Sequence, residues 1–166
     1  MRLFLFLAFL FFTSNVSAQI DTTKWFDFWV GTWDATWDEG EGKKGKGINR
    51  ITKTLDGTVI HENFEILEGQ NKDFKGTSIS VYQVRFKKWK QAWADNQGGY
   101  YDFTGSKNGD ERAFQTAVFN TQDGRAITQR MVFKKITDRS MTWDWEASQD
   151  GGETWTLNWR IFYTKK

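Results

Sequence analysis

The sequence predicts an all-β protein, a single up-and-down antiparallel β-barrel of about ten strands with a short N-terminal helical turn. Three observations point there. Apolar residues alternate with period two rather than 3.6. Turn dipeptides recur at short, fairly even intervals to the C-terminus. The 166 residues contain no proline, which would remove a ladder donor from any central strand. The length suits one domain, and an aromatic content of 17 % supplies bulk for one core.

Along the chain, "MRLFLFLAFLFFTSNVSAQ" places Arg2 before an apolar run from Leu3 to Phe12, then a small-x-small site, Val16-Ser17-Ala18. That pattern reads as a secretory signal peptide over 1–18, leaving a β-barrel domain over 19–166, exported to the periplasm or medium. The run is shorter than the roughly 20 apolar residues a spanning helix needs, so no membrane association is expected after cleavage. No cysteine is present, which excludes disulfides, thiol nucleophiles and thiolate metal sites. "DTTKWFDF" (21–28) reads as one helical turn capped by Asp21 or Thr22, with Trp25 and Phe28 on one side, placed to plug a barrel end.

The first strand, about 28–38, sets Trp29, Gly31, Trp33, Ala35 and Trp37 on one face. "DEGEGKKGKG" (38–47) is Gly-rich and charged and reads as a mobile loop. Further strands are expected near 47–54, 58–67, 77–86, 89–96, 100–105, 111–119, 126–136, 140–148 and 153–163. Asp56-Gly57, Gly98-Gly99, Asn108-Gly109, Asp123-Gly124 and Asp150-Gly151 lie between them as hairpin turns. Ten strands about 4.8 Å apart and tilted about 40° give a backbone diameter of roughly 20 Å, of which about 10 Å remains after side chains.

Charge is nearly balanced, 23 Lys+Arg against 21 Asp+Glu, and removing Arg2 brings it closer still. No nucleic-acid partner is expected, since such binders concentrate basic excess on one face. "RFKKWKQAW" interleaves cations with Trp89 and Trp93, but lysines at a hairpin turn also discourage edge aggregation.

"FWVGTW" (28–33), "WADNQGGYYDFTG" in the middle and "WDWEASQDGGETWTLNWRIFY" at the end resemble a family of exported bacterial proteins with a calycin-like barrel, akin to lipocalins and fatty-acid-binding proteins. The resemblance implies fold and no activity. It implies that Trp33 packs at the closed barrel end against a late-strand arginine, Arg160 or Arg130. The last-strand R-x-Y of fatty-acid-binding proteins is here Arg160-Ile161-Phe162, and their two-helix lid is absent, so a fatty-acid carrier is not implied. Nitrobindin-like barrels are also similar in layout and hold haem through a late-strand histidine. The single histidine is His61 on the third strand, and Tyr163 would have to substitute, so no cofactor is expected.

Within "TVIHENFEIL", Glu62 shares a face with Ile60, Phe64 and Ile66, so its carboxylate points inward and needs a partner. Arg130 and Arg160 are the candidates. A lone histidine with scattered carboxylates offers no metal-ligand spacing, and no nucleophile elbow accompanies His61. Asp144 and Glu146 share a face about 7 Å apart, near the inverting-glycosidase range, with Trp143 and Trp145 on the core side. "SQDGGETW" (148–155) fits the Asp-box hairpin of sialidase propellers, and its local chemistry is that of a turn.

The reading is therefore an exported small-molecule-binding barrel, non-enzymatic, for a small apolar or aromatic ligand. Parity gives Glu62, Tyr82, Trp93, Arg130 and Arg160 as the inward-facing ligand set. The alternatives are a hydrolase or isomerase using Glu62 or His61, and a structural or glycan- or protein-interaction module with a filled core.

Overall fold

A computed structural model describes residues 21–166; the signal-peptide reading of 1–18 lies outside them. The described chain opens with two 3-10 turns, Thr22–Lys24 and Asp27–Trp29, the first capped by Asp21, whose carboxylate accepts from the Thr23 amide. Eleven strands follow: β1 (Gly31–Gly40), β2 (Lys43–Thr54), β3 (Val59–Glu68), β4 (Lys75–Gln83), β5 (Lys88–Asp95), β6 (Tyr100–Asn108), β7 (Glu111–Thr116), β8 (Phe119–Asn120), β9 (Ala126–Lys134), β10 (Ser140–Ser148) and β11 (Thr156–Lys165).

All but β8 form a closed antiparallel ring. β1 pairs with β2 and with β11, so first and last strands meet, and β9 pairs with both β7 and β10. Closure satisfies every edge of the ladder, the reason a ten-strand meander does not remain an open sheet. β8 is a two-residue pairing against the start of β9.

The segment expected as a mobile loop, 38–47, is instead a hairpin: β1 runs on to Gly40, Glu41-Gly42 turns the chain, and β2 begins at Lys43. Gly40 and Gly42 give the turn its positive φ, whereas Gly45 serves space. A Cβ on Gly45 would lie 2.1 Å from the Trp37 indole, the side chain directly opposite it in the ladder. β11 also starts later than expected, at Thr156, because the hairpin over 148–155 consumes the intervening residues.

The two 3-10 turns plug one end of the barrel, with a different pair of rings inward than helical spacing suggested. Phe26 and Trp29 are fully buried, while Trp25 and Phe28 only pack against the core from its margin. In a 3-10 turn i and i+3 eclipse, so both pairs obey the spacing and only the barrel interior selects between them. Phe26 stacks on Phe114 at 4.2 Å between centroids and meets Trp89 and Phe133 edge-on. The Trp89 indole N–H donates to the Thr22 carbonyl and Arg112 Nε donates to the Trp25 carbonyl, fastening the plug to the walls.

Trp33 packs at this closed end, but among the described residues no arginine covers it. Its indole N–H donates to the Trp29 carbonyl at 2.8 Å, and the Lys165 ammonium sits 5.2 Å from its ring centroid. Lysine from the last strand occupies the place that the resemblance assigned to Arg160 or Arg130.

Candidate functional site

Away from the plug, the inward side chains leave a cavity of about 180 Å³. Its walls come from the alternation of β3, β5, β6, β10 and β11. Trp143 and Trp145 lie parallel on β10 with centroids 6.3 Å apart, Trp159 of β11 meets Trp143 edge-on, and Tyr101 of β6 meets Trp145 edge-on. Phe64 extends the belt from Trp159 toward Phe74, and Trp93 of β5 faces the same space. These rings are half-buried except Phe64, which is buried. Small residues on β4 let these side chains seat close against the wall. β4 turns Gly76, Ser78 and Ser80 inward, and a Cβ on Gly76 would stand 2.0 Å from the Trp93 ring. Gly76→Val is therefore expected to displace Trp93 and destabilise the barrel by about 2 kcal/mol, the usual penalty of overpacking. A lowered urea midpoint and a red-shifted tryptophan emission together would register it.

Glu62 lies in the wall of this cavity, 5 % exposed. Among the described residues, no cation reaches it. Its Oε1 accepts from Asn49 Nδ2 at 2.7 Å and its Oε2 from Ser78 Oγ at 2.6 Å. Asn49 Nδ2 also donates to the Tyr163 hydroxyl at 3.3 Å, and Asn49 Oδ1 is buried without a partner. Burial drives the Glu62 carboxyl up from 4.5 to about 7, against the pull of the Ser78 and Asn49 donors. Burial likewise pushes the Tyr163 phenol far above its ordinary range, with the Glu62 charge adding to it. At neutral pH the acid is thus divided between its two protonation states. It can donate, accept or pair.

The other members of the expected inward set fall elsewhere. Arg130 and Arg160 point outward, in opposite parity to Met131, Phe133 and Ile161, so neither partners Glu62. Arg160 instead grips Asp144 through two bonds of 2.7 Å, and Arg130 holds Glu146, with Lys134 bridging both acids at 2.9 Å. Asp144 and Glu146 are therefore an outer-wall ion ladder, sheltered by the cations over them rather than facing a substrate. Burial works to raise the Asp144 carboxyl, but Arg160 and Lys134 outweigh it and hold it below its ordinary value. Tyr82 faces the plugged end, where its hydroxyl accepts from Thr22 Oγ1. His61 sits on the outer wall with Thr77 at 3.1 Å, outside the reach of the cavity. Glu62 and Trp93 remain in the wall.

The Asp-box residues spend their polar groups on one another. Asp150 accepts from Ser148 Oγ and from the Thr154 amide and hydroxyl, Ser148 Oγ accepts from the Gly152 amide, and Trp155 Nε1 donates to the Gly152 carbonyl. The Ser148 and Thr154 bonds hold the Asp150 carboxyl far below its ordinary value. Arg130 stacks 3.8 Å over the Trp155 ring, tying this hairpin to the ion ladder. No protein-family model matches the chain, and no curated protein matches it either. Its chemistry must be read from the wall itself.

Of the thirteen residues in that wall, nine are aromatic, two are acids (Glu62 and Asp95) and none is basic. Among the described residues, no three histidine, aspartate or glutamate side chains converge to hold a metal ion. The second acid, Asp95, accepts from the Trp93 indole N–H and from the Gln97 and Gly99 amides at the end of β5. Sequence parity missed Asn49, Ser78 and Tyr163 around Glu62. One signal was present: in "GTSISVY" the small and polar residues alternate with Thr77, Ile79 and Val81, and Ile79 faces solvent.

Proposed function

We propose that the protein is an exported small-molecule-binding barrel that carries or captures a compact, flat, largely apolar or aromatic ligand without transforming it. The observation that carries this reading is the cavity itself, walled by indole, phenol and phenyl groups. Apolar cavities near this size accommodate a single aromatic ring. An interior filled to native density would have argued for a purely structural module, whereas about 180 Å³ stays unfilled among these rings. Export to the periplasm or medium follows from the N-terminal sequence pattern and is part of the proposal.

Native mass spectrometry of the protein purified from its own host tests it. A reproducible adduct with the mass of a small organic molecule is the expected result. Repeated absence of any adduct, together with a crystal structure in which the indoles have closed the cavity, would overturn it.

Glu62 also sustains a second reading, in which the barrel is a hydrolase or isomerase with this carboxyl as its acid-base group. A carboxyl near 7 facing a cavity is suited to proton transfer. Turnover with a pH profile that vanishes in Glu62→Gln while the fold persists would favour it over carriage.

A further inference from the structure

Taking carriage as its starting point, we propose that the ligand is an organic cation: a protonated amine on a flat apolar or aromatic body, its ammonium donating to Glu62 and its body lying against the tryptophans. Three observations converge on that charge. The wall holds two acids and no base, so an anionic ligand has no partner there, and the outward Arg130 and Arg160 are already held by Glu146 and Asp144. Aromatic ring faces carry the negative side of their quadrupole, so a face met by a ligand attracts a cation but not an anion. Finally, the polar seam beside the cavity is short of donors. Glu62 has two neutral donors for two oxygens that can accept more, and the adjacent Asn49 Oδ1 has none.

The empty and filled states then differ by the proton that Glu62 holds when empty, a full proton well below pH 7 and about half of one at pH 7. Without ligand, a neutral Glu62 avoids the cost of an unpaired buried charge, and its hydroxyl can donate to Ser78 Oγ while Oε1 still accepts from Asn49. When an ammonium enters, the Glu62 O–H bond breaks, its proton leaves to solvent, and the carboxylate forms an ion pair with the ligand. The groups that face Glu62 around the wall are Asn49 on β2, Ser78 on β4 and Tyr163 on β11, with Asp95 of β5 and Tyr101 of β6 as the other titratable members of the lining. None of them is a cation that would compete.

Isothermal titration of the purified protein with three probes of one shape decides the matter: phenethylammonium, 2-phenylethanol and 3-phenylpropionate. The expected result at pH 8 is that phenethylammonium binds at least about ten-fold tighter than either of the others. Its affinity rises between pH 5.5 and 8 while that of the alcohol does not. At pH 7 about half a proton is released per ligand bound, read from two buffers of different ionisation enthalpy. In Glu62→Gln the ammonium preference disappears and the alcohol still binds. Equal or tighter binding of the alcohol or the carboxylate by the wild-type protein overturns the cation assignment and leaves carriage standing. Failure of all three probes to bind at millimolar concentration overturns both.

Discussion

Replacing Phe26 by alanine is expected to destabilise the barrel by about 4 kcal/mol, read as a lowered urea midpoint at unchanged slope. The ring is wholly inaccessible, stacked on Phe114 and edged by Trp89 and Phe133, and the surrounding walls are held in place by continuous ladders. Such walls cannot collapse into the vacancy, so both the lost transfer energy and the cavity cost are felt. Phe28→Ala is the internal control. Its half-buried ring makes only marginal contacts with Phe26 and Phe133, and its loss is expected to cost about 1 kcal/mol. Equal, small effects from both variants would mean that the N-terminal turns are not an integral plug.

The second large effect is a dependence of stability on pH that belongs to Glu62. Its carboxyl is raised from 4.5 to about 7 in the fold, so the folded protein binds the proton more tightly than the unfolded chain. The stability this contributes is fully present below pH 4.5 and is lost as pH rises through about 7, a change of about 3 kcal/mol. Asp144 and Asp150 act in the opposite sense: their carboxyls are depressed, so their contribution is present above the unfolded value and lost on acidification. The raw stability profile therefore mixes both, and the comparison with Glu62→Gln isolates the first. Relative to wild type, the glutamine variant is expected to gain about 3 kcal/mol between pH 4.5 and pH 8, measured by urea denaturation at each pH. A constant difference across that range would place the carboxyl in water, not in the wall.

The barrel was legible because strand alternation and turn chemistry are local: Trp33, Ala35 and Trp37 face inward as their parity requires, and Asn108-Gly109 turns a hairpin where expected. Glu62 was legible for the same reason. Its partners were not, because a cross-strand neighbour depends on register, and nothing within "TVIHENFEIL" states that Ser78 lies directly opposite. Pairing it with Arg130 or Arg160 assumed that a buried acid must be charged, whereas here desolvation raises the acid toward neutrality and neutral donors suffice. Arg130 was misplaced because "MVF" beside it is apolar on both parities, Val132 being buried on the outer wall under the ion ladder. The glycines at 45 and 47 resembled a loop because a one-dimensional pattern shows backbone freedom and hides the neighbour that a missing Cβ makes room for, the Trp37 ring at Gly45 and the Glu65 carbonyl at Gly47.

One titration reaches the centre of this account, the chemical shift of the Glu62 side-chain carboxyl carbon followed by NMR in protein labelled with 13C at glutamate. With the cavity empty, the resonance is expected to titrate near 7, and on saturation with phenethylammonium its midpoint is expected to fall as the ion pair forms. A midpoint below about 5 in the empty protein, or one indifferent to the amine, would contradict a desolvated carboxyl awaiting a cation in an aromatic cavity.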